Sequence, residues 1–259
     1  MVIIVVVGVG LLAPVIAPGD PLAINPTHVL QPASPGHLLG TDEFGRDIFT
    51  RLLYGARPSL IIAACATLLA MCLGMLMGVV AGYWRGWVEQ GLMRTVDTLL
   101  CFPPIVLAMV VVGFLGGGLI NLIVVIGILY APTFARLAYA ATIQIKEMEY
   151  VTAAISLGAG HGRVILRHVV PNVLSPMIVQ ASLTAASAIL LESGLSFLGL
   201  GVQPPAPSWG LMIGAARGYM FQAPAYLVWP SLVIAGTILA INTFGDALRD
   251  LLDPRLRGR

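Results

Sequence analysis

Apolar runs of membrane-spanning length recur along this chain, and that recurrence leaves it few possible folds. They occupy residues 1–17, 60–82, 92–115, 119–139, 173–197 and 227–248. A helix needs roughly 17–25 residues to cross the hydrocarbon. Of 259 residues, 58% are apolar and 10% charged, against about a quarter charged in soluble domains. A water-soluble fold of this length cannot bury so much apolar surface. The chain reads as an all-α polytopic membrane protein with six transmembrane helices. The first run lacks a basic n-region, so it reads as an anchor helix rather than a cleaved signal peptide.

Between the fourth and fifth runs lies a polar stretch, 147–172, too long and too charged for a tight turn inside a membrane. Tyr150, Ala153, Ala154 and Leu157 fall at i, i+3, i+4 and i+7, one apolar stripe of a helix. Glu147 and Glu149 sit where a helix N-terminus favours negative charge, and Gly158 sits where a left-handed cap ends one. A second short helix starts near His161. Arg163 and Arg167 share its polar face, Val164, Ile165 and Val169 another, and Pro171 ends the segment. Two short amphipathic helices on the wet side of a membrane are suited to docking a partner; a solvated connector is the alternative.

The remaining polar stretches carry weaker signals. In 18–57, Asp47 can cap a short helix bearing Ile48, Phe49, Leu52 and Leu53. Gly55 ends that helix, Pro58 starts the next span, and Arg46 pairs with Asp47. Gly74 and Gly78 form a GxxxG pattern that allows close helix approach. Tyr83, Trp84 and Trp87 read as one aromatic belt, and Trp209, Tyr219, Tyr226 and Trp229 as the opposite one. Phe102-Pro103-Pro104 bends the third span. Asp97, Glu192 and Asp246 lie near span ends, where water or an arginine reaches them; Arg94 pairs with Asp97 and Arg249 with Asp246.

Several chemistries are excluded. Cys65, Cys72 and Cys101 all lie in apolar segments and imply neither disulfide nor metal. Lys146 is the single lysine and follows no glycine-rich loop, so the chain has no phosphate cradle. Gly194-Leu195-Ser196 has the look of a protease serine motif, but all four histidines lie outside the spans, with His161 and His168 across the membrane from it. No metal-ligand spacing and no channel filter is present. An ion-gradient transporter should show an inverted repeat and midplane charges, and neither is visible. The formal net charge of +2, from scattered basic residues, gives no reason to expect nucleic acid.

Six spans put both termini and the stretch 147–172 on one side. Ten of the 14 basic residues then lie there: Arg85, Arg94, Arg136, Lys146, Arg163, Arg167, Arg249, Arg255, Arg257 and Arg259. Arg46, Arg51, Arg57 and Arg217 lie opposite. By the positive-inside rule the stretch is cytoplasmic.

The spacing Ala153-Ala154-x-x-x-Gly158, with Ile165 and Pro171-Asn172 beyond it, resembles the cytoplasmic loop of bacterial ABC importer permeases. Thr152 replaces the glutamate that usually precedes the alanine pair. Segments 37–60, 189–210 and 242–256 also resemble the second-permease branch of the dipeptide, oligopeptide and nickel importers. The resemblance implies a type I permease fold with coupling helices between spans 4 and 5. Its parts are an anchor (1–17), an external scoop (18–57), a core (58–248, coupling loop 140–171) and a cytoplasmic tail (249–259). It implies ATPase coupling through Tyr150, Ala153, Ala154, Leu157, Gly158, Arg163, Ile165 and Pro171. It also implies contact with an external solute-binding protein through Asp42, Arg46, Asp47, Arg51 and Trp209. The expected partners are the bilayer, a homologous permease, that binding protein and two cytoplasmic ATPases that hold the ATP and magnesium. The chain itself binds no cofactor and breaks no bonds. The resemblance places the chain in the inner membrane with a small solute as cargo, a peptide first, with nickel chelates or glutathione as alternatives. ATP binding would move the helix at 150–157, and a hinge at 158–163 would pass the motion to the fourth and fifth spans.

Overall fold

The computed structural model describes residues 16–17 and 19–252. The anchor expected over 1–17 lies almost wholly outside these residues, as does the end of the tail. Helix α1, Ile48–Tyr83, is 36 residues long and starts where Asp47 accepts the Thr50 N–H at 2.8 Å. Its start matches the expected cap; its course does not. Neither Gly55 nor Pro58 interrupts it, and the turn before Gly55 is held from outside. The indole N–H of Trp209 donates to Leu52 O at 2.9 Å, and Trp209 and Ser208 pack close over Gly55. The segment 18–57 and the core 58–248 are therefore bridged by one continuous helix.

Helices α2 (Trp87–Leu100) and α3 (Pro104–Leu115) meet at 92°. Pro103 and Pro104 cannot donate backbone hydrogen bonds, and Pro104 suits the first turn of a new helix. Helix α4, Leu119–Lys146, outruns its expected end by two turns. The short α5 is Glu149–Ser156. Helix α6 runs His161–Phe197, so Pro171 does not end the segment as expected. Just before it the helix widens into a π-helical turn, Ile165–Val169, in which the Val170 N–H reaches Ile165 O. That wider turn accommodates the proline ring, which clashes with the carbonyl four residues back in a regular helix. Helices α7 (Trp209–Ala216) and α8 (Pro224–Leu252) complete the described chain.

Two sets of contacts fix the direction of α1, the bent pair α2–α3, α4 and α6. Lys146 Nζ donates to Tyr83 O at 2.7 Å and Arg85 pairs with Glu147 at 2.8 Å, so 83–87 and 146–147 share one end. Gly118 N donates to Gly201 O at 3.1 Å, which puts 116–118 and 201 at the other. The bent pair α2–α3 therefore crosses between ends. With α1, α4, α6 and α8, each long and apolar enough to span, that makes five crossings among the described residues.

The tightest seam is α1 on α4. A Cβ added to Gly74 would stand 2.5 Å from Ala131 O, one on Gly78 2.3 Å from Ala135 O, and one on Gly82 2.8 Å from Thr142 Cβ. Three glycines one turn apart thus let two backbones touch, which bears out the GxxxG expectation and extends it by a turn. A second apolar cluster gathers α1, α3, α4, α6, α7 and α8 around buried Trp209 and Tyr226.

Candidate functional site

The polar stretch forms a foot below the α1–α4 seam. Helix α5 buries Val151 completely against Val79, Tyr83, Ile145, Val164 and Val169. The stripe expected to be its docking face points outward: Tyr150 is 44% exposed, Leu157 89%, Ala153 exposed and Ala154 half-buried. Leu157 lies just past the helix, and Gly158 follows at φ +85°. Gly158 N donates to Ile155 O and Ala159 N to Ala154 O, a paired closure that satisfies the last carbonyls and needs a left-handed residue at Gly158. Arg163 is exposed, Ile165 half-buried and Pro171 exposed.

The foot is tied to the membrane domain at both ends. Besides the Lys146 and Arg85 contacts, Tyr83 Oη lies 2.8 Å from His161 Nδ1. Asn172 Nδ2 donates to His168 O at 2.6 Å and to Tyr150 Oη at 3.2 Å, joining α6 to α5. Sequence spacing gave no hint of the Tyr83–His161 link, because the two are 78 residues apart.

At the far end, the five expected contact residues fall into an internal network. Asp42 is fully buried and Arg51 97% so. Arg46 Nε lies 2.6 Å and Arg51 Nε 3.3 Å from Asp42 Oδ2, and Arg46 reaches Glu43 at 3.1 Å. Arg51 also donates to Pro21 O, so it ties the segment before Asp47 onto α1. Arg46 therefore does not pair with Asp47 as expected. Asp47 caps α1 and meets His37 Nδ1 at 3.1 Å, and His37 Nε2 in turn meets His28 Nδ1 at 3.1 Å. Trp209 is 1% exposed, and Tyr226 equally so. Asp42, Arg51 and Trp209 thus hold this end together from inside, and neither Trp209 nor Tyr226 belongs to a surface belt. Tyr83 likewise leaves the other belt for the core, whereas Trp87 stays 90% exposed.

The acids near span ends also find different partners. Asp97 pairs with Arg136 of α4 at 2.6 Å, not with Arg94. Among the described residues no ion pair joins Asp246 to Arg249. Glu192 is fully buried, away from water and arginine. It accepts from Ser196 at 2.7 Å, Ser59 at 3.1 Å and Ser193 at 3.4 Å, a hydroxyl cradle that joins α6 to α1.

A foot of one short helix and the first turns of α6 beneath a small-residue seam, with five crossings above it, is the arrangement to compare with known proteins. Residues 70–258 match the family described as binding-protein-dependent transport system inner membrane component. The chain belongs to that family. This inner membrane component is 41% identical to a dipeptide transport system permease protein DppC of Alkalihalophilus pseudofirmus, over 96% of this chain and 82% of the relative. It is 43% identical to a glutathione transport system permease protein GsiD of Pectobacterium atrosepticum, over 86% of this chain and 74% of the relative. In fold it is similar to the MetNI methionine ABC transporter in an inward-facing conformation, with TM-score 0.66 at 16% identity, over 80% of this chain and 98% of that one. The family and the shared fold bear out the expected ABC importer permease.

Proposed function

We propose that this inner membrane component forms one half of the pathway of an ATP-driven importer of peptides, paired with a second permease. Two cytoplasmic ATPases drive it through α5, and an external binding protein delivers cargo. The observation that carries this reading is the outward-turned apolar side of the foot. Leu157, Ile155 and Tyr150 are 89, 41 and 44% exposed on an element whose other side is locked to the spans by buried Val151. Such a side needs an apolar groove to cover it. The basic residues around it favour a cytoplasmic position, with both termini on that side. The peptide assignment draws on the named relatives, which by their descriptions belong to dipeptide and glutathione transport systems. ATP and magnesium belong to the ATPases in this scheme, and the chain's own contribution is mechanical.

Binding of ATP brings the ATPases together and carries the foot with them. The permease then opens outward only if the ATP-bound ATPases favour that conformation over the inward-facing one. Burying one exposed leucine is worth ~1.5–3 kcal/mol. Leu157→Asp should therefore cut ATPase co-purification at least about tenfold while the permease pair stays intact; unchanged co-purification refutes the docking face. Orientation is tested separately, by replacing Cys65, Cys72 and Cys101 and labelling a single cysteine at Ser156 in intact cells. Reaction with a membrane-impermeant thiol reagent from outside refutes the cytoplasmic foot. Measuring what the cognate binding protein binds tests the cargo.

A further inference from the structure

The foot and the spans are not joined alike at its two ends. On the α4 side the junction is stiff. The glycine seam presses α1 and α4 backbone to backbone, and Lys146 both donates to Tyr83 O and sits 4.9 Å over the Tyr83 ring. Arg85 and Glu147 close the same corner. The first turn of α6 joins this block too, through His161 on Tyr83 and buried Val164. Immediately beyond comes the π-helical turn Ile165–Val169. Pro171 has no N–H to give it, and the Asn172 side chain donates to His168 O within that turn. The same amide reaches Tyr150 Oη on α5. At its outer end α6 is pinned again, by Glu192 in its hydroxyl cradle with Ser59.

From this we infer that the π-helical turn Ile165–Val169 is the joint of the coupling device. Pro171 keeps the joint open, and Asn172 latches it to the foot. This rests on the reading of α5 as the ATPase-docking element. The foot, α1 and α4 move as one body, and α6 rolls about its long axis between the joint and the Glu192 pin. The glycines at 158–162, which the sequence marks as the hinge, close a helix end and leave the motion to the turn beyond them. A π turn suits this role because its hydrogen bonds span one residue more than in an α-helix, so its register can shift without breaking the chain's course.

The test uses the whole transporter with its ATPases, with Cys65, Cys72 and Cys101 replaced and spin labels introduced in pairs. Leu76→Cys with Ile128→Cys reports α1 against α4; Leu76→Cys with Leu183→Cys reports α1 against α6. Distances are compared between the nucleotide-free and vanadate-trapped states. The first should stay constant and the second shift by ~3 Å or more, the rise of about two residues. Pro171→Ala, which restores an N–H and removes the ring, should at least halve that shift and uncouple ATP hydrolysis from uptake with the ATPases still bound. A constant α1–α6 distance, a moving α1–α4 distance, or a Pro171→Ala transporter with wild-type distances and coupling overturns the joint. Where the ATPases co-purify in those cases, the docking reading survives; where they do not, both fall.

Discussion

The α1–α4 seam makes a prediction that the structure sizes directly. A methyl group at Gly78 would stand 2.3 Å from Ala135 O, 2.6 Å from Ala138 Cβ and 2.7 Å from Tyr139 N. Nonbonded heavy atoms settle at ~3.5–4.0 Å, so Gly78→Ala forces the two backbones apart by about 1 Å. Nothing soft can yield, since two of the three neighbours are backbone atoms. Overpacking costs ~1–3 kcal/mol, and rigid backbone neighbours put this case at ~2–3 kcal/mol, of which alanine's better helix propensity returns about 1 kcal/mol. The net loss is ~1–2 kcal/mol, which for a chain of this size lowers Tm by roughly 2–8 °C. Gly91 and Gly113 supply the controls, because a Cβ at either meets nothing within 4 Å. Alanine there should leave Tm unchanged or raise it slightly. The assay is thermal unfolding of the purified full-length chain in one detergent, followed by circular dichroism. A Gly78→Ala protein as stable as the parent, or Gly91→Ala and Gly113→Ala losing as much, refutes the claim that this seam is closed by backbone contact.

Three further outcomes follow from single contacts. Glu192→Leu leaves the Ser59 and Ser196 hydroxyls without their acceptor in a fully buried site, so it should cost ~1–3 kcal/mol. Glu192→Gln keeps an acceptor and should cost less than half as much, and equal Tm values for the two would sink the cradle. Trp209→Phe removes the bond to Leu52 O and should lower stability by ~1 kcal/mol without weakening capture of the binding protein. A stable variant with weakened capture would return Trp209 to the surface. Gly158→Val places a β-branched side chain at φ +85°, a strain of ~1 kcal/mol or more. It should loosen the end of α5 and reduce uptake per ATP hydrolysed; normal uptake with normal stimulation of hydrolysis by loaded binding protein counts against that cap.

What was readable in the sequence shared one property: the relevant neighbours lie within a turn or two along the chain. The Asp47 cap, the break at Pro103-Pro104, the left-handed Gly158 and the short helix after Met148 each depend on local backbone chemistry. The GxxxG pattern was readable as a possibility, yet its partner Ala131–Thr142 was not, since spacing says nothing about which helix approaches. Local rules misled where a distant group intervened. Gly55 resembles a helix end until Trp209, 157 residues from Leu52, takes a carbonyl on that turn. Pro171 resembles a stop until the preceding turn widens to admit it. Arg46 beside Asp47, and Arg94 near Asp97, look like pairs in sequence, but Asp42 and Arg136 offer better geometry in space.

The amino-acid order by itself determined that this chain spans a membrane, where its wet foot lies, and where each helix is free to start. Those properties follow from apolar length and from backbone groups that must be satisfied close at hand. Only the tertiary structure decided which polar residues became interior fasteners. Asp42, Arg51, Glu192 and Trp209 look like surface residues in one dimension and are at most 3% exposed in three. A buried polar side chain persists only where partners converge on it, and that convergence is a property of packed helices.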